Sequence, residues 1–477
     1  MDSGGVKMSE VHGTVDPMDS SSILDRLDPD QRTVAETFGV PVGVIAGAGT
    51  GKTSAMTARL AYGAETGAID PGATLAVTFT TSAAAELKQR LEAMGVRGVQ
   101  SRTFHSAALR QAQYFWPEVY GCALPRVEDR KDILVAQACR KVGIPAAEPI
   151  LHEISGEISW TKQTNVLPEE YAELARREGR RVHVGLDDVA DAIVAYEEAK
   201  QAACVIDLDD LLLCTVALLA TQPEVARKVR ATYRYFVFDE FQDTSPVQAR
   251  LADLWVGGRG DVCVVGDPAQ TIHSFAGSRS VYLENFCVSR PGAVGLELTR
   301  NYRSTPEILA AANAVNREGV RLTAVRGSGA SVEFAPAEDP LQESEDTAEW
   351  LEARHRDGIE WESMAVLFRT HAQAEALRQI LADHNIPFSY QKGEVRVRPG
   401  VWLGTLHSSK GLEWEAVNLA GLHDGVLPHP LATTPAQIAE ERRLLYVGMT
   451  RAKSFLRVSW PQIVDGRITS QCRFLSV

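Results

Sequence analysis

The most legible chemistry in the chain is the run Ala46-Gly47-Ala48-Gly49-Thr50-Gly51-Lys52-Thr53. Glycines let backbone N–H groups turn inward toward phosphate oxygens, and a helix starting here would add positive potential from its N-terminus. The Lys52 ammonium can reach the outer phosphates of a nucleotide, and the Thr53 hydroxyl can ligate Mg2+. A second run, Phe236-Val237-Phe238-Asp239-Glu240-Phe241-Gln242-Asp243, is apolar and ends in paired carboxylates. Asp239 is suited to hold Mg2+, directly or through water, and Glu240 to orient and deprotonate an attacking water. Alone, such a pair could equally be an acidic strand end facing solvent. Beside a phosphate loop, hydrolysis is the better reading. Phosphoryl transfer also needs positive charge on the transferring group, and Arg303 and Arg451 are the candidates to supply it. Taken singly, a surface arginine is more often solvated or weakly paired.

These groups need elements that bring them together. Val42–Ala46 is a short apolar run fit for a buried parallel strand, followed by a glycine turn and a helix from about Lys52 to Tyr62. Leu75–Phe79, Tyr235–Phe238 and Val262–Val265 repeat the strand–turn–helix pattern, which implies an α/β domain with a parallel sheet. Asp28-Pro29-Asp30-Gln31 reads as a capped helix start. Residues 109–203 lack strand-like runs and read as a helical insertion. A second strand series, Ala365–Phe368, Val401–Leu406, Ala416–Ala420 and Ser454–Trp460, suggests a second α/β domain. The expected division is a flexible tail over 1–22, a first domain over 23–108 and 204–290, the insertion over 109–203, and a second domain over 291–477. The acidic segment Pro336–Glu345 is expected to be a surface loop.

The chain has 477 residues, 45% hydrophobic and 23% charged, which suits several packed domains. Its net charge of -13 argues against wrapping nucleic acid by bulk charge, so phosphate contacts must be local. The seven cysteines are scattered without a C-x-x-C pair, against a disulfide framework, zinc ribbon or iron–sulfur cluster. No run of about 18 apolar residues suggests a membrane span. The polar start does not resemble a signal peptide, so the cytoplasm is the expected compartment.

The chain resembles superfamily 1 DNA helicases of the UvrD/Rep/PcrA type. Besides the phosphate loop and the carboxylate run, segments 27–31, 77–84, 103–106, 206–212, 265–272, 301–304, 404–414 and 441–452 are similar to the family's motifs, in order. The resemblance implies two RecA-like parallel-sheet motor domains, the first with a helical insertion, and ATP bound between them with Mg2+. Lys52, Asp239, Glu240, Gln270, Arg303 and Arg451 would then be catalytic, with Thr53 and Asp239 on the metal. Gln31, Ala46 through Ser54 (Ala46, Gly47, Ala48, Gly49, Thr50, Gly51, Lys52, Thr53, Ser54), Tyr302 and Glu413 would bind nucleotide. Gln31 has a second reading as the capping residue, and both can hold. Phe79, Thr80, His105, Phe275 and His407 would meet single-stranded DNA; an isolated Phe would more often be core. The implied activity is ATP-dependent translocation and unwinding, 3'-to-5', in repair or replication, at single/double-strand junctions. An alternative is an ATPase motor subunit of a defence or recombination complex with a separate nuclease. A nuclease or repair factor is the kind of protein partner either reading implies.

The chain departs from the family's pattern in three places, one of them Ser54, where an arginine is common. His273 stands where a tyrosine is usual and Ala276 where an arginine is usual. The large helical insertion of the second domain is absent or reduced to about 385–400. Lys392, Arg396 and Arg398 in that connector are either a solvated basic turn or a contact to duplex phosphates. A short form of this kind is expected to hydrolyse ATP well with single-stranded DNA and to unwind modestly without a partner.

Overall fold

The computed structural model describes residues 23–390 and 399–475. The expected tail over 1–22 and the basic cluster Lys392, Arg396 and Arg398 lie outside the described residues.

Two parallel six-stranded sheets organise the molecule. The first contains β1 (Val42–Ala46), β2 (Thr74–Thr78), β3 (Gln100–Thr103), β4 (Tyr235–Phe238), β5 (Val262–Gly266) and β6 (Val294–Leu298), in the spatial order β3-β2-β4-β5-β1-β6. Helices α1 (Pro29–Glu36), α2 (Lys52–Glu65), α3 (Thr81–Ala93) and α4 (Phe104–Tyr120) belong to this unit. Strands β2 and β5 are buried along their whole length, as parallel strands covered on both faces must be. Register does the positioning. Ile45 sits opposite Gly266, and Phe238 opposite Val264. The loops leaving β1, β4 and β5 therefore emerge side by side at one edge, the usual ligand edge of a parallel sheet.

Helices α5 (Lys131–Lys141), α6 (Glu148–Thr164), α7 (Pro168–Arg177) and α8 (Leu186–Ala203) form the helical insertion around their own core, which includes Ile154, Ile158, Trp160, Tyr171 and Tyr196. The chain returns through α9 (Leu208–Thr221), α10 (Pro223–Thr232) and α11 (Pro246–Val256). After α12 (Pro306–Val315), the second sheet takes β7 (Glu333–Ala337), β8 (Met364–Phe368), β9 (Phe388–Tyr390), β10 (Val401–Thr405), β11 (Trp414–Leu419) and β12 (Ala452–Pro461), in the order β7-β12-β11-β8-β10-β9. Helices α13 (Pro340–Arg356), α14 (Ala374–Asp383) and α15 (Pro435–Met449) complete it. No described helix is long and apolar enough to cross a membrane.

Three expectations need correction. The boundary at residue 109 falls inside α4, which starts at the Thr103 capping box and runs to Gly121. Its Ala107, Ala112 and Phe115 pack into the first sheet's core, so the separate helical core starts later, at Leu134. The boundary at 291 places Val294–Leu298 in the second domain, but this strand pairs with β1 at the edge of the first sheet. Only Leu298 of that strand is buried, so it lacks the apolar run that marked the other strands. The segment Pro336–Glu345 is not a loop. It ends β7 and starts α13, with Pro340 in the first turn and Asp339 capping the amides of Leu341 and Gln342. Of its acidic residues, Glu338 and Asp339 are exposed ahead of the helix, Glu345 on the helix is half-buried, and Glu343 is buried.

Candidate active site

The phosphate loop spans the gap between β1 and α2. Gly49 and Gly51 have φ of 67° and 75°, the left-handed region that a side chain disfavours. Space forbids a side chain as well. A Cβ on Gly49 would lie 2.6 Å from Asn301 Nδ2, and one on Gly51 would lie 2.5 Å from Gln31 Nε2. Gln31 is buried, and its Nε2 donates to the Thr50 carbonyl at 2.9 Å. It also closes the capping box with Asp28, whose amide donates to Gln31 Oε1 at 3.3 Å. Lys52 Nζ folds back and donates to the Ala46 and Gly47 carbonyls at 3.0 and 3.3 Å.

The carboxylate pair leaves the end of β4. Glu240 has φ 50°, unusual for a residue other than glycine, and its amide donates to Asp239 Oδ1 at 2.9 Å. Such strain persists only where the surroundings enforce it. Here Gln242 is the bolt. It is fully buried, donates to Glu240, and accepts from the Asp267 amide at 3.1 Å, tying the β4 loop to the β5 loop. Burial and the charge of Glu240 push Asp239 up to about 7. Burial also acts on Glu240, but Lys52, Lys410 and the Gln242 amide outweigh it and hold its pKa below the ordinary value. The two adjacent carboxylates are thus pushed apart in proton affinity.

The cations come from two places, Arg451 from the lead into β12 of the second sheet and Arg303 from the link between β6 and α12. Arg451 follows α15 and is 2% exposed; it donates to the Val447 and Leu412 carbonyls at 2.9 and 3.1 Å, and to Gln270 Oε1 at 3.4 Å. Burial, with Arg303 nearby, lowers its pKa, so a polyanion in the cleft would relieve it. Gln270 in turn donates to Asp267 at 2.8 Å. Arg303 is held by Glu413 at 2.6 Å and by the Thr450 carbonyl at 3.1 Å. Tyr302 donates from its amide to the Gly49 carbonyl at 2.9 Å and from its hydroxyl to Asp28 at 2.5 Å.

These groups line one cleft of 1060 Å³ between the sheets. Gln31, Gly47 through Ser54, Asp239, Glu240, Gln270, Tyr302, Arg303, Glu413 and Arg451 all face it, with Phe79, Thr80 and His407 at its margin. Ala46 ends β1 beneath the loop and contributes its carbonyl to Lys52. Among the described residues no three His, Cys, Asp or Glu side chains cluster as a metal cage. The donor set still suits Mg2+ carried by a nucleotide. Such an ion takes one or two protein oxygens and completes its shell with phosphate and water, and Asp239 is a buried carboxylate destabilised by Glu240.

Beside the cleft runs a chain of rings. Phe79 stacks on His273 at 5.9 Å, His273 meets Phe275 at 5.9 Å, and Phe275 meets His407 at 6.0 Å. Phe79 and Phe275 are 47% and 56% exposed, unusual for side chains of this size. Burial lowers both His273 and His407 to about 4, so each ring is neutral near pH 7. His105 on α4 is not part of this chain; burial lowers its pKa, and the charge of Asp209 offsets this only in part.

Several contributors had no assigned role at the level of sequence. Lys410 pairs with the buried Asp243 and donates to the Gln270 carbonyl at 2.7 Å. Asn301 donates to the Ala48 carbonyl at 2.6 Å. Their partners lie 167 and 253 residues away, so no local spacing could reveal them. His273, noted only as a departure, is the link between Phe79 and Phe275.

Comparison with known proteins agrees with this architecture. Residues 27–288 match the UvrD/REP helicase N-terminal domain. Residues 296–395 and 389–462 match the UvrD-like helicase C-terminal domain. The ATP-dependent DNA helicase UvrD2 of Mycobacterium tuberculosis is 32% identical over 555 residues, covering 92% of this chain and 79% of that protein. UvrD1 of the same organism is 30% identical, covering 80% of this chain and 52% of its own length. PcrA of Staphylococcus epidermidis is 28% identical over 78% of this chain and 52% of its own length. The UvrD2 alignment is longer than this chain, so that relative carries internal residues which this chain lacks. The two C-terminal matches overlap at 389–395. Because the N-terminal match alone covers more than half of the chain and the C-terminal match takes up after it, this chain belongs to the UvrD/REP helicase family.

Proposed function

We infer that the protein is an ATP-dependent DNA helicase that moves along single-stranded DNA, 3'-to-5', at single/double-strand junctions in repair or replication. The observation that carries this reading is the cleft itself. The phosphate loop and carboxylates come from the first sheet and Arg451 from the second, Arg303 in the link after β6 is held by Glu413 and the Thr450 carbonyl, and an exposed ring surface adjoins them.

Lys52 and the loop amides receive the phosphates of ATP, while Gln31 and Tyr302 flank the position of the base. Thr53 and Asp239 would hold Mg2+, which supplies charge neutralisation at the phosphates when bound. Glu240, the carboxylate of lower pKa, positions the attacking water and accepts its proton. Arg303 and Arg451 face charge that develops on the transferring group, and this completes the site only when the two sheets are close. Gln270 touches Asp267 on one side and Arg451 on the other, so it can report the state of the cleft to the loop that continues into His273 and Phe275. Rings stack on any base, which suits movement along a strand of arbitrary sequence. Closing and reopening the cleft then shifts one half of that surface against the other.

The support for DNA is the family and the ring surface; polarity rests on the resemblance alone. A reducing cytoplasm, and a nuclease or repair factor as partner, complete the reading. Displacement of a labelled strand from partial duplexes with a 3' or a 5' single-stranded tail tests it. Displacement from the 3'-tailed duplex with ATP is expected. Preference for the 5' tail would overturn the polarity, and failure on both with active ATP turnover would leave translocation without unwinding.

A further inference from the structure

After helix α7 the chain turns through Glu178-Gly179-Arg180, and this turn sits against the support of the ring surface. Arg180 makes two hydrogen bonds with Glu157, at 2.7 and 2.6 Å, and its guanidinium lies 4.4 Å over the Trp160 ring. Glu157 also accepts from the Tyr171 hydroxyl at 2.8 Å, and Trp160, Tyr171 and Glu157 are buried. A planar guanidinium held by a bidentate carboxylate and a ring face has little freedom left. The second N–H of Nη2 is thereby aimed, and it reaches the Phe275 carbonyl at 3.2 Å.

Phe275 lies in the short turn Ser274–Ala276, with its ring exposed and meeting the rings of His273 and His407. With Phe275 more than half exposed, the pose of that ring follows the backbone beneath it. Ala276, next in the turn, has no polar side chain with which to hold it. The contact is reinforced nearby. Arg279 pairs with Glu178 at 2.9 Å, and Gln437 of α15 donates to the Gly179 carbonyl at 3.3 Å. Gly179 has φ 69°, and a Cβ there would lie 2.8 Å from Thr434 Cγ2. The turn therefore fits between the Phe275 loop and the start of α15.

We propose that Arg180 is a positioning residue for strand binding: from the helical insertion it fixes the Phe275 backbone and so the ring on which a base stacks. This rests on the reading of Phe275 as a base platform. The helical insertion thereby takes part in the grip on the strand without touching the nucleotide.

The test is a double-mutant cycle on Arg180→Ala and Phe275→Ala. It is read by the single-stranded DNA concentration that half-saturates ATP turnover, and by quenching of a 2-aminopurine base in the bound strand. Phe275→Ala is expected to raise half-saturation about tenfold, the scale of one lost base–ring stack. Arg180→Ala is expected to raise it about threefold and to weaken quenching at saturation, with turnover at saturating DNA retained. The double variant is expected to match Phe275→Ala alone, because a positioning residue has nothing left to position. Effects that multiply, or an Arg180→Ala protein indistinguishable from the parent beside an impaired Phe275→Ala, overturn the proposal. A Phe275→Ala protein with unchanged half-saturation and quenching overturns the platform reading itself, and the proposal with it. Should Arg180→Ala fail to fold because Glu157 is left buried and unpaired, Arg180→Lys carries the same cycle. A lysine keeps the charge but cannot grip Glu157 at two points and reach Phe275 as well.

Discussion

The nucleotide cleft and the ring surface share a border at Phe79, His273 and His407, yet they are held in different ways. In the cleft, the Ala48 and Thr50 carbonyls of the phosphate loop are held by Asn301 and Gln31, Glu240 by Gln242, and Arg303 by Glu413. On the ring surface, Phe79 and Phe275 are exposed and touch mainly other rings. The contrast follows from what each must recognise. Stabilising charge that develops during phosphoryl transfer requires donors fixed in advance within a low-dielectric site. Stacking on successive bases of any sequence requires flat faces that the strand can leave again.

That contrast predicts a hierarchy of effects. Arg451→Ala should lower stimulated ATP turnover by about 10³-fold or more, the scale of an arginine acting on a transferring phosphoryl group. Nucleotide binding, read by equilibrium dialysis, should persist. A loss of less than tenfold would remove Arg451 from the chemistry. Glu240→Gln should lower turnover by about 10²- to 10⁴-fold while ATP stays bound, the range for a lost general base. Ordinary turnover in that variant would mean that another group activates the water. Phe79→Ala should leave DNA-free turnover intact and weaken single-stranded DNA binding by about tenfold, as loss of one stack would. Fluorescence anisotropy reads this, and a turnover defect without a binding defect would erase the distinction between the two regions.

The smallest expected effect concerns pH. Burial holds His273 and His407 near 4, below the usual histidine value. A depressed histidine stays neutral until pH falls toward that value, so neither ring gains charge between pH 8 and 5.5. Strand affinity should therefore stay within about twofold across that range at constant salt, once other groups are controlled with the double variant His273→Phe, His407→Phe. Strong tightening on acidification that this variant abolishes would show that the rings titrate normally and grip phosphate by charge.

Sequence legibility follows the same division. The phosphate loop and the carboxylate pair are contiguous, because backbone geometry at a strand end requires adjacent residues. Both could be read directly from residues 46–53 and 239–240. The ring surface is assembled from separate segments, and only the family resemblance singled out Phe79, Phe275 and His407. His273 as a linking ring and Arg180 as a support depend on tertiary contacts that no spacing encodes. The strand Val294–Leu298 escaped assignment to the first sheet because an edge strand can be half exposed and carry no apolar run. The start of α13 was taken for a loop because acidic residues suit both a solvated helix face and a solvated turn.

The central claim is that one cleft joins nucleotide turnover to a strand held beside it. Steady-state ATP hydrolysis by the whole protein, measured without nucleic acid and then with single-stranded DNA, tests this most directly. The account predicts a rate that rises many-fold with single-stranded DNA and saturates. A rate indifferent to the strand, at concentrations where anisotropy shows it bound, would contradict it.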